Sequence, residues 1–223
     1  MCGIVAYIGT KSASPILIEG LKRLEYRGYD SAGIALFNNN IETFKSKGRV
    51  RILEDLLHNE NPSCSNLGIA HTRWATHGAP SDRNAHPHLG NKSNQKPIAI
   101  VHNGIIENYS SLKIWLEKRD HVFLSETDTE VLAHLIGEFY DGDLESAVQK
   151  ALGKVEGAYA IAAISEEEPG VLVVARKGSP LLVGVGDSEF IVASDSSAIV
   201  AHTTKAVELE DSPVVRLTKD GFR

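Results

Sequence analysis

The sequence predicts one layered α+β domain, in which two β-sheets pack on each other with helices outside. Three observations lead there. Helical patterns group in the first two thirds of the 223 residues, whereas strand patterns run throughout. Several of the later strands are apolar on both faces, so each needs cover on both sides. No repeat, low-complexity tract or linker divides the chain, and its length suits one large domain.

Taken in order, Cys2 stands immediately behind Met1, and the apolar, β-prone run that follows is the first strand. Ser14-Pro15 reads as an N-cap with proline at the first helical position. Leu17, Leu21 and Leu24 recur at helical spacing, and Gly28 is a stop. Gly33–Phe37 and Ile41–Phe44 read as strands joined by the turn residues Asn38–Asn40. Val50–Leu57 suggests a helix and Leu67–His71 a strand. From Thr72 to Lys96 the chain is polar and aperiodic, and a loop of that length is either functional or disordered. Ile98–His102 returns to strand, and Leu112, Trp115 and Leu116 mark a helix. Thr127 and Glu130 fit a capping box ahead of the apolar face Val131, Leu132, Leu135, Ile136 and Phe139. Asp143 caps a further helix bearing Leu144, Val148, Ala151 and Leu152. Strands then follow at Tyr159–Ile164, Val171–Ala175, Leu181–Val185, Phe190–Ala193 and Val214–Leu217.

Composition excludes several classes. At 42% hydrophobic and 23% charged the chain is ordinary for a globular protein. A net charge of -6 without a basic cluster argues against a nucleic-acid partner. The apolar runs are too short to span a bilayer, and no charged and apolar leader opens the chain. Cys2 and Cys64 cannot build a disulfide framework and fit a reducing cytoplasm. Cys64, in a turn-rich loop, receives no role.

Five places carry chemistry that a fold alone does not require. Removal of Met1 would leave Cys2 with a thiol and a free α-amine, a nucleophile with a built-in base. The ordinary pKa values suit the pair: about 8.5 for the thiol and about 7.7–8 for the amine. A small residue opening a buried strand is the plainer reading. Tyr26–Ser31 is a charged turn between helix and strand. In His71–Gly78, Arg73 at a strand end suits a two-point grip on a carboxylate, although an ordinary surface ion pair is the plainer reading. His71, His77, His86 and His88 raise a metal site, but their spacing gives no helical pair of ligands and no Cys or Glu lies nearby. His102-Asn103-Gly104 offers an amide and a glycine N–H as two oxyanion donors, or simply a tight turn. Asp128 sits at the positive end of a helix, where a carboxylate is usually a dipole partner. Gly184–Glu189 begins like a dinucleotide fingerprint but lacks the third glycine and the following helix.

Together these segments resemble the class II glutamine amidotransferases, whose glutaminase domains belong to the N-terminal nucleophile hydrolases. The likeness runs from Cys2 to the end of the chain. It rests on Cys2–Val5, Leu24–Gly33, His71–Gly78, His102–Tyr109 and Ser125–Glu130 in that order. Tyr26–Ser31 and His71–Gly78 favour the branch that aminates a sugar phosphate over the amidophosphoribosyltransferase branch. The resemblance implies a four-layer αββα sandwich and L-glutamine as the substrate. It implies Cys2 as nucleophile, with Asn103 and Gly104 as oxyanion donors. Arg73 and Asp128 would hold the carboxylate and ammonium of the substrate, and the Thr76-His77 backbone would help enclose it. Trp74 would lie near the ammonia route and Arg27 would support the nucleophile. Neither cofactor nor metal is implied. Full-length members continue into a sugar-phosphate isomerase domain, so residues 1–223 read as a glutaminase half whose full-length protein is a dimer. An N-terminal-cysteine acylase acting on another amide is the rival enzyme. It would keep Cys2 and Asn103 but need no Arg73–Asp128 pair. A non-catalytic module would need neither a free amine nor an oxyanion hole.

Overall fold

The computed structural model describes residues 2–92, 95–211 and 213–223; the expected loss of Met1 concerns a residue outside that set. Strand β1 (Gly3–Ile8) leads to helix α1 (Ala13–Leu24), then to the hairpin of β2 (Ser31–Asn38) and β3 (Asn40–Lys47). Helix α2 (Val50–Glu60) and strand β4 (Leu67–Arg73) follow, then β5 (His88–Gly90) and β6 (Ile98–Ile106). Three helices come next: α3 (Tyr109–Glu117), α4 (Asp128–Phe139) and α5 (Leu144–Leu152). The chain closes with β7 (Gly157–Ser165), β8 (Leu172–Lys177), β9 (Leu182–Val185), β10 (Phe190–Ala193), β11 (Ala206–Glu208), β12 (Val214–Thr218) and β13 (Gly221–Phe222).

These strands make a seven-stranded sheet, β11-β9-β10-β1-β4-β2-β3, and a six-stranded sheet, β13-β12-β8-β7-β6-β5. Every strand pairing is antiparallel. Side chains alternate along a strand, so each sheet has two faces to bury. In β1, Ile4, Ala6 and Ile8 join the cluster that also holds Ala99, Val101, Ala160, Ala162 and Ile164 of the other sheet. Val5 and Tyr7 instead pack with Leu17, Leu21 and Leu24 of α1 and Leu53 of α2. On the second sheet, Ile98, Ile100 and Ile161 pack with Val131, Leu132 and Leu135 of α4 and Val148 of α5. The result is the four-layer αββα sandwich. Full burial of each such aliphatic side chain contributes about 1.5–3 kcal/mol.

Three local expectations change in detail. Helix α1 begins at Ala13 with Ser12 at its N-cap, so Pro15 falls third; first-turn N–H groups lack helical partners, and a proline is tolerated there. The Thr127 hydroxyl accepts from the Glu130 N–H at 3.3 Å, but the Glu130 carboxylate does not return to Thr127. It accepts instead from the N–H groups of Leu124, at 2.8 Å, and Ser125, at 2.6 Å, and so fixes the loop entering α4. The long segment after Thr72 is ordered where it is described. Asn84 Nδ2 donates to the Ala79 carbonyl and the Glu126 carboxylate, and Ala85, His86 and His88 are buried.

Candidate active site

The alternation that builds the core also builds the site. Ile4 and Ala6 face the other sheet, and the same parity carries Cys2, just before β1, toward the end of the inter-sheet layer. In β4 the run Ile69, His71, Arg73 shares the inner face; in β6, Ala99, Val101 and Asn103 do the same. The apolar layer therefore gives way to polar groups where the sandwich opens into a cavity of about 330 Å³. Its lining includes Cys2, Arg27, Arg73, Trp74, Thr76, Asn103, Gly104 and Asp128.

Cys2 Sγ accepts from the Trp74 N–H at 3.3 Å, and its thiol faces the Trp74 carbonyl at 3.6 Å. Burial pushes the thiol pKa up, against the Trp74 N–H and the Arg73 charge, which pull it down. Asn103 Nδ2 donates to the Cys2 carbonyl at 3.2 Å, while its Oδ1 lies 3.0 Å from His71 Nε2. Gly104 is held at φ +130°, and a Cβ there would sit 2.0 Å from the Ala158 carbonyl oxygen, so the position demands glycine.

Arg73 is buried, and its Nη2 donates to the carbonyls of His77 and Gly78, the latter at 3.0 Å. Its buried Nη1 has no partner among the described residues. Asp128, also buried, opens α4 and accepts the Ile106 N–H at 2.9 Å. A cation with an uncommitted donor and a carboxylate thus line one cavity, a charge pattern complementary to a zwitterionic amino acid. Thr76 reaches the cavity; the His77 side chain does not line it. The His77 carbonyl holds Arg73, and its ring packs edge-on against Tyr109 with centroids 5.1 Å apart. The Trp74 ring is half exposed and meets Tyr29 edge-on at 5.8 Å. Arg27 pairs with Asp195 at 3.0 Å, and the same carboxylate oxygen accepts from the Tyr26 hydroxyl.

The histidines divide. His71 and His86 stack with ring centroids 4.0 Å apart. His88 Nε2 lies 3.0 Å from the Thr127 hydroxyl and His102 Nδ1 2.9 Å from the Thr129 hydroxyl. Burial drives His71 down to about 3 and lowers His86, His88 and His102 in the same direction. They are therefore neutral imidazoles committed to strand and helix partners. Among the described residues no three His, Cys, Asp or Glu side chains form a group suited to a metal ion.

Against known proteins, the family model of the glutamine amidotransferase domain matches residues 71–201, more than half of the chain. The chain belongs to the glutamine amidotransferase domain family. It is 54% identical, over its whole length, to the glutamine–fructose-6-phosphate aminotransferase [isomerizing] of Clostridium tetani, and 51% to that of Thermotoga maritima. It spans 36% of the length of each of these relatives. The amidotransferase domain also superposes on the glutamine phosphoribosylpyrophosphate amidotransferase from B. subtilis, with a TM-score of 0.85 and 28% identity. That match covers the whole of this chain and 48% of the other. A glutamine aminotransferase class-II domain protein from Silicibacter pomeroyi shares the fold, with a TM-score of 0.63, 14% identity and 97% of that chain covered.

Three groups that shape this cavity were not singled out from the sequence. His71 was visible only as one of several histidines; its parity with Arg73 along β4 is the signal that places it on the inner face. Asp30, inside the charged turn, accepts the Ala75 N–H and a 2.9 Å bond from the Ser31 hydroxyl. Its own N–H donates to the Arg73 carbonyl at 3.1 Å, so one residue fixes the chain on both sides of Trp74. Ser179 and Pro180, between β8 and β9, complete a wall with no charge or motif to announce it.

Proposed function

We propose that the chain hydrolyses the side-chain amide of L-glutamine to glutamate and ammonia, with Cys2 as nucleophile. The observation that carries this reading is the composition of one cavity. It joins a sulfur, an asparagine amide held beside that residue's backbone, and the Arg73–Asp128 pair of opposite charges. An acylase acting on an amide without an amino-acid end would have no use for that pair.

With Met1 removed, the Cys2 α-amine takes the thiol proton, directly or through a water molecule, and sulfur bonds to the carboxamide carbon. The raised thiol pKa makes that base necessary. The carbonyl oxygen becomes an oxyanion that accepts from Asn103 Nδ2 and the Gly104 N–H; losing one such donor costs about 10²–10³ in rate. The intermediate collapses, the C–N bond breaks, and the protonated amine returns its proton to the leaving nitrogen, which departs as ammonia. Water then adds to the γ-glutamyl thioester with the amine again as base, the C–S bond breaks, and glutamate and the thiol are restored. Arg73 Nη1 binds the α-carboxylate and Asp128 the α-ammonium. A substrate lacking either charge leaves a buried partner unpaired, which such sites reject strongly. Arg27 supports the wall, and the Thr76-His77 backbone encloses the ligand.

In a longer protein the ammonia would pass by Trp74 to a following sugar-phosphate isomerase domain, with fructose 6-phosphate as acceptor and glucosamine 6-phosphate as product. The 54% identity to aminotransferases of that name, against 28% to the phosphoribosylpyrophosphate enzyme, supports this branch. We place such a protein in the cytoplasm, as a dimer. The test is glutamate and ammonia release from glutamine by protein whose intact mass shows loss of Met1. Wild type should turn over and Cys2→Ala should not. Activity retained in Cys2→Ala, or abolished by a chelator in wild type, would sink the assignment.

A further inference from the structure

We propose that His71 is a positioning residue for this reaction, holding the Asn103 amide so that Nδ2 stays aimed at the oxyanion. The inference rests on the glutaminase reading above.

The two ends of an asparagine amide differ: one only donates and the other only accepts. The Cys2 carbonyl is an acceptor, so the amide nitrogen lies on that side, at 3.2 Å. Oδ1 therefore faces His71, and at 3.0 Å the imidazole must present Nε2–H to it. Rotating the amide by half a turn would set Oδ1 against the Cys2 carbonyl, which is repulsive whatever the ring does. It would also set the amide N–H groups against the Nε2 proton, which is repulsive in the tautomer that serves Oδ1.

The ring that enforces this is itself fixed. His71 is fully buried in β4, between the register partners Ile4 and Gly33, and stacks on His86 at 4.0 Å with planes 20° apart. Burial keeps it neutral, so it adds no cation beside the nucleophile. The chain Nε2–H to Oδ1, then amide N–H to oxyanion, also polarises the amide as negative charge grows on the substrate oxygen. A donor strengthened only in the transition state raises kcat, not ground-state affinity. Arg73 and Asp128 hold the other end of the substrate, so KM should barely register the loss.

The test is a double-mutant cycle on kcat. His71→Leu should lower kcat about 10–100-fold with little change in KM. His71→Gln, which returns an amide N–H near the Nε2 position, should recover most of that loss. In an Asn103→Ala background His71→Leu should cost almost nothing further, because its target is gone. If His71→Leu fails to fold, His71→Asn, too short to reach Oδ1, takes its place after a normal urea midpoint is shown. An equal loss in both backgrounds, or no rescue by Gln, would overturn the positioning role. A wild type that releases no glutamate would instead overturn the glutaminase reading, so the two failures are distinct.

Discussion

Gly104→Ala tests the oxyanion geometry and the packing behind it in one substitution. Two penalties can be separated. An L-residue held at φ +130° costs about 1–3 kcal/mol in backbone strain. The new Cβ would also lie 2.0 Å from the Ala158 carbonyl oxygen and 3.0 Å from the Tyr159 Cα, both backbone atoms of β7, the strand paired with β6. No side chain can rotate away, so β6 must separate from β7, which at overpacked sites costs about 1–3 kcal/mol more. The sum is about 2–6 kcal/mol. Gly170→Ala is the control: its φ is +76°, but nothing lies within 4 Å of the built Cβ, so only backbone strain of about 1–2 kcal/mol should appear. Urea unfolding of the two variants gives the difference in stability directly. Because the Gly104 N–H moves with the strand, kcat for glutamine should also fall about 10²–10³-fold in Gly104→Ala alone. Equal unfolding midpoints for the two variants, with kcat intact in Gly104→Ala, would refute the close-approach reasoning and the donor role together.

Arg73→Lys and Asp128→Asn should each raise KM for glutamine about 10–100-fold while changing kcat far less, since a two-point grip or a buried counter-charge is lost away from the reacting carbon. A fall in kcat with KM unchanged would show that the roles are assigned wrongly. Acid should destabilise the fold early. His71, driven to about 3 in the native state, is protonated in the unfolded chain below its ordinary 6.5, so between those values the unfolded state binds more protons. The stabilisation is complete above pH 6.5 and is lost as pH falls toward about 3, with His86, His88 and His102 pushing the same way. Urea midpoints should therefore drop between pH 6.5 and 5, before most carboxylates titrate; a flat midpoint there would contradict buried neutral histidines.

Most of the sandwich was legible because its strands alternate or run apolar on both faces, and its helices carry apolar residues at helical spacing. What was not legible depends on partners elsewhere in the chain. Strand β5 has only three residues, and its state comes from pairing with Ile98–Ile100. Strand β11 is exposed throughout and extends only because β9 offers an edge. The capping box was half right because Glu130 found better donors at Leu124 and Ser125 than at its own N-cap. At the site, the residue types were readable but their meeting was not, since 71 positions separate Cys2 from Arg73 and 101 separate it from Asn103. His77 bears on the site through its backbone: its carbonyl accepts from Arg73, a contact that any residue there would supply.

The neutral histidines also explain how the cavity keeps a fixed charge pattern. Desolvation is the main reason that His71, His86 and His88 resist protonation, and the Arg73 cation adds to it at all three. Were any of them to charge, a second cation would compete with Arg73 for a carboxylate and weaken the contrast with Asp128. Buried imidazoles suit this place better than apolar side chains would. Asn103 and Thr127 need hydrogen-bond partners, and leaving such a buried polar group unpaired costs about 1–3 kcal/mol each. They also suit it better than lysine or carboxylate, which would bring a charge. An imidazole gives a donor, an acceptor and a flat stacking face without net charge, and this inner layer uses all three. The acid sensitivity argued above follows from the same choice: below pH 6.5 the groups that orient the site begin to favour the unfolded chain.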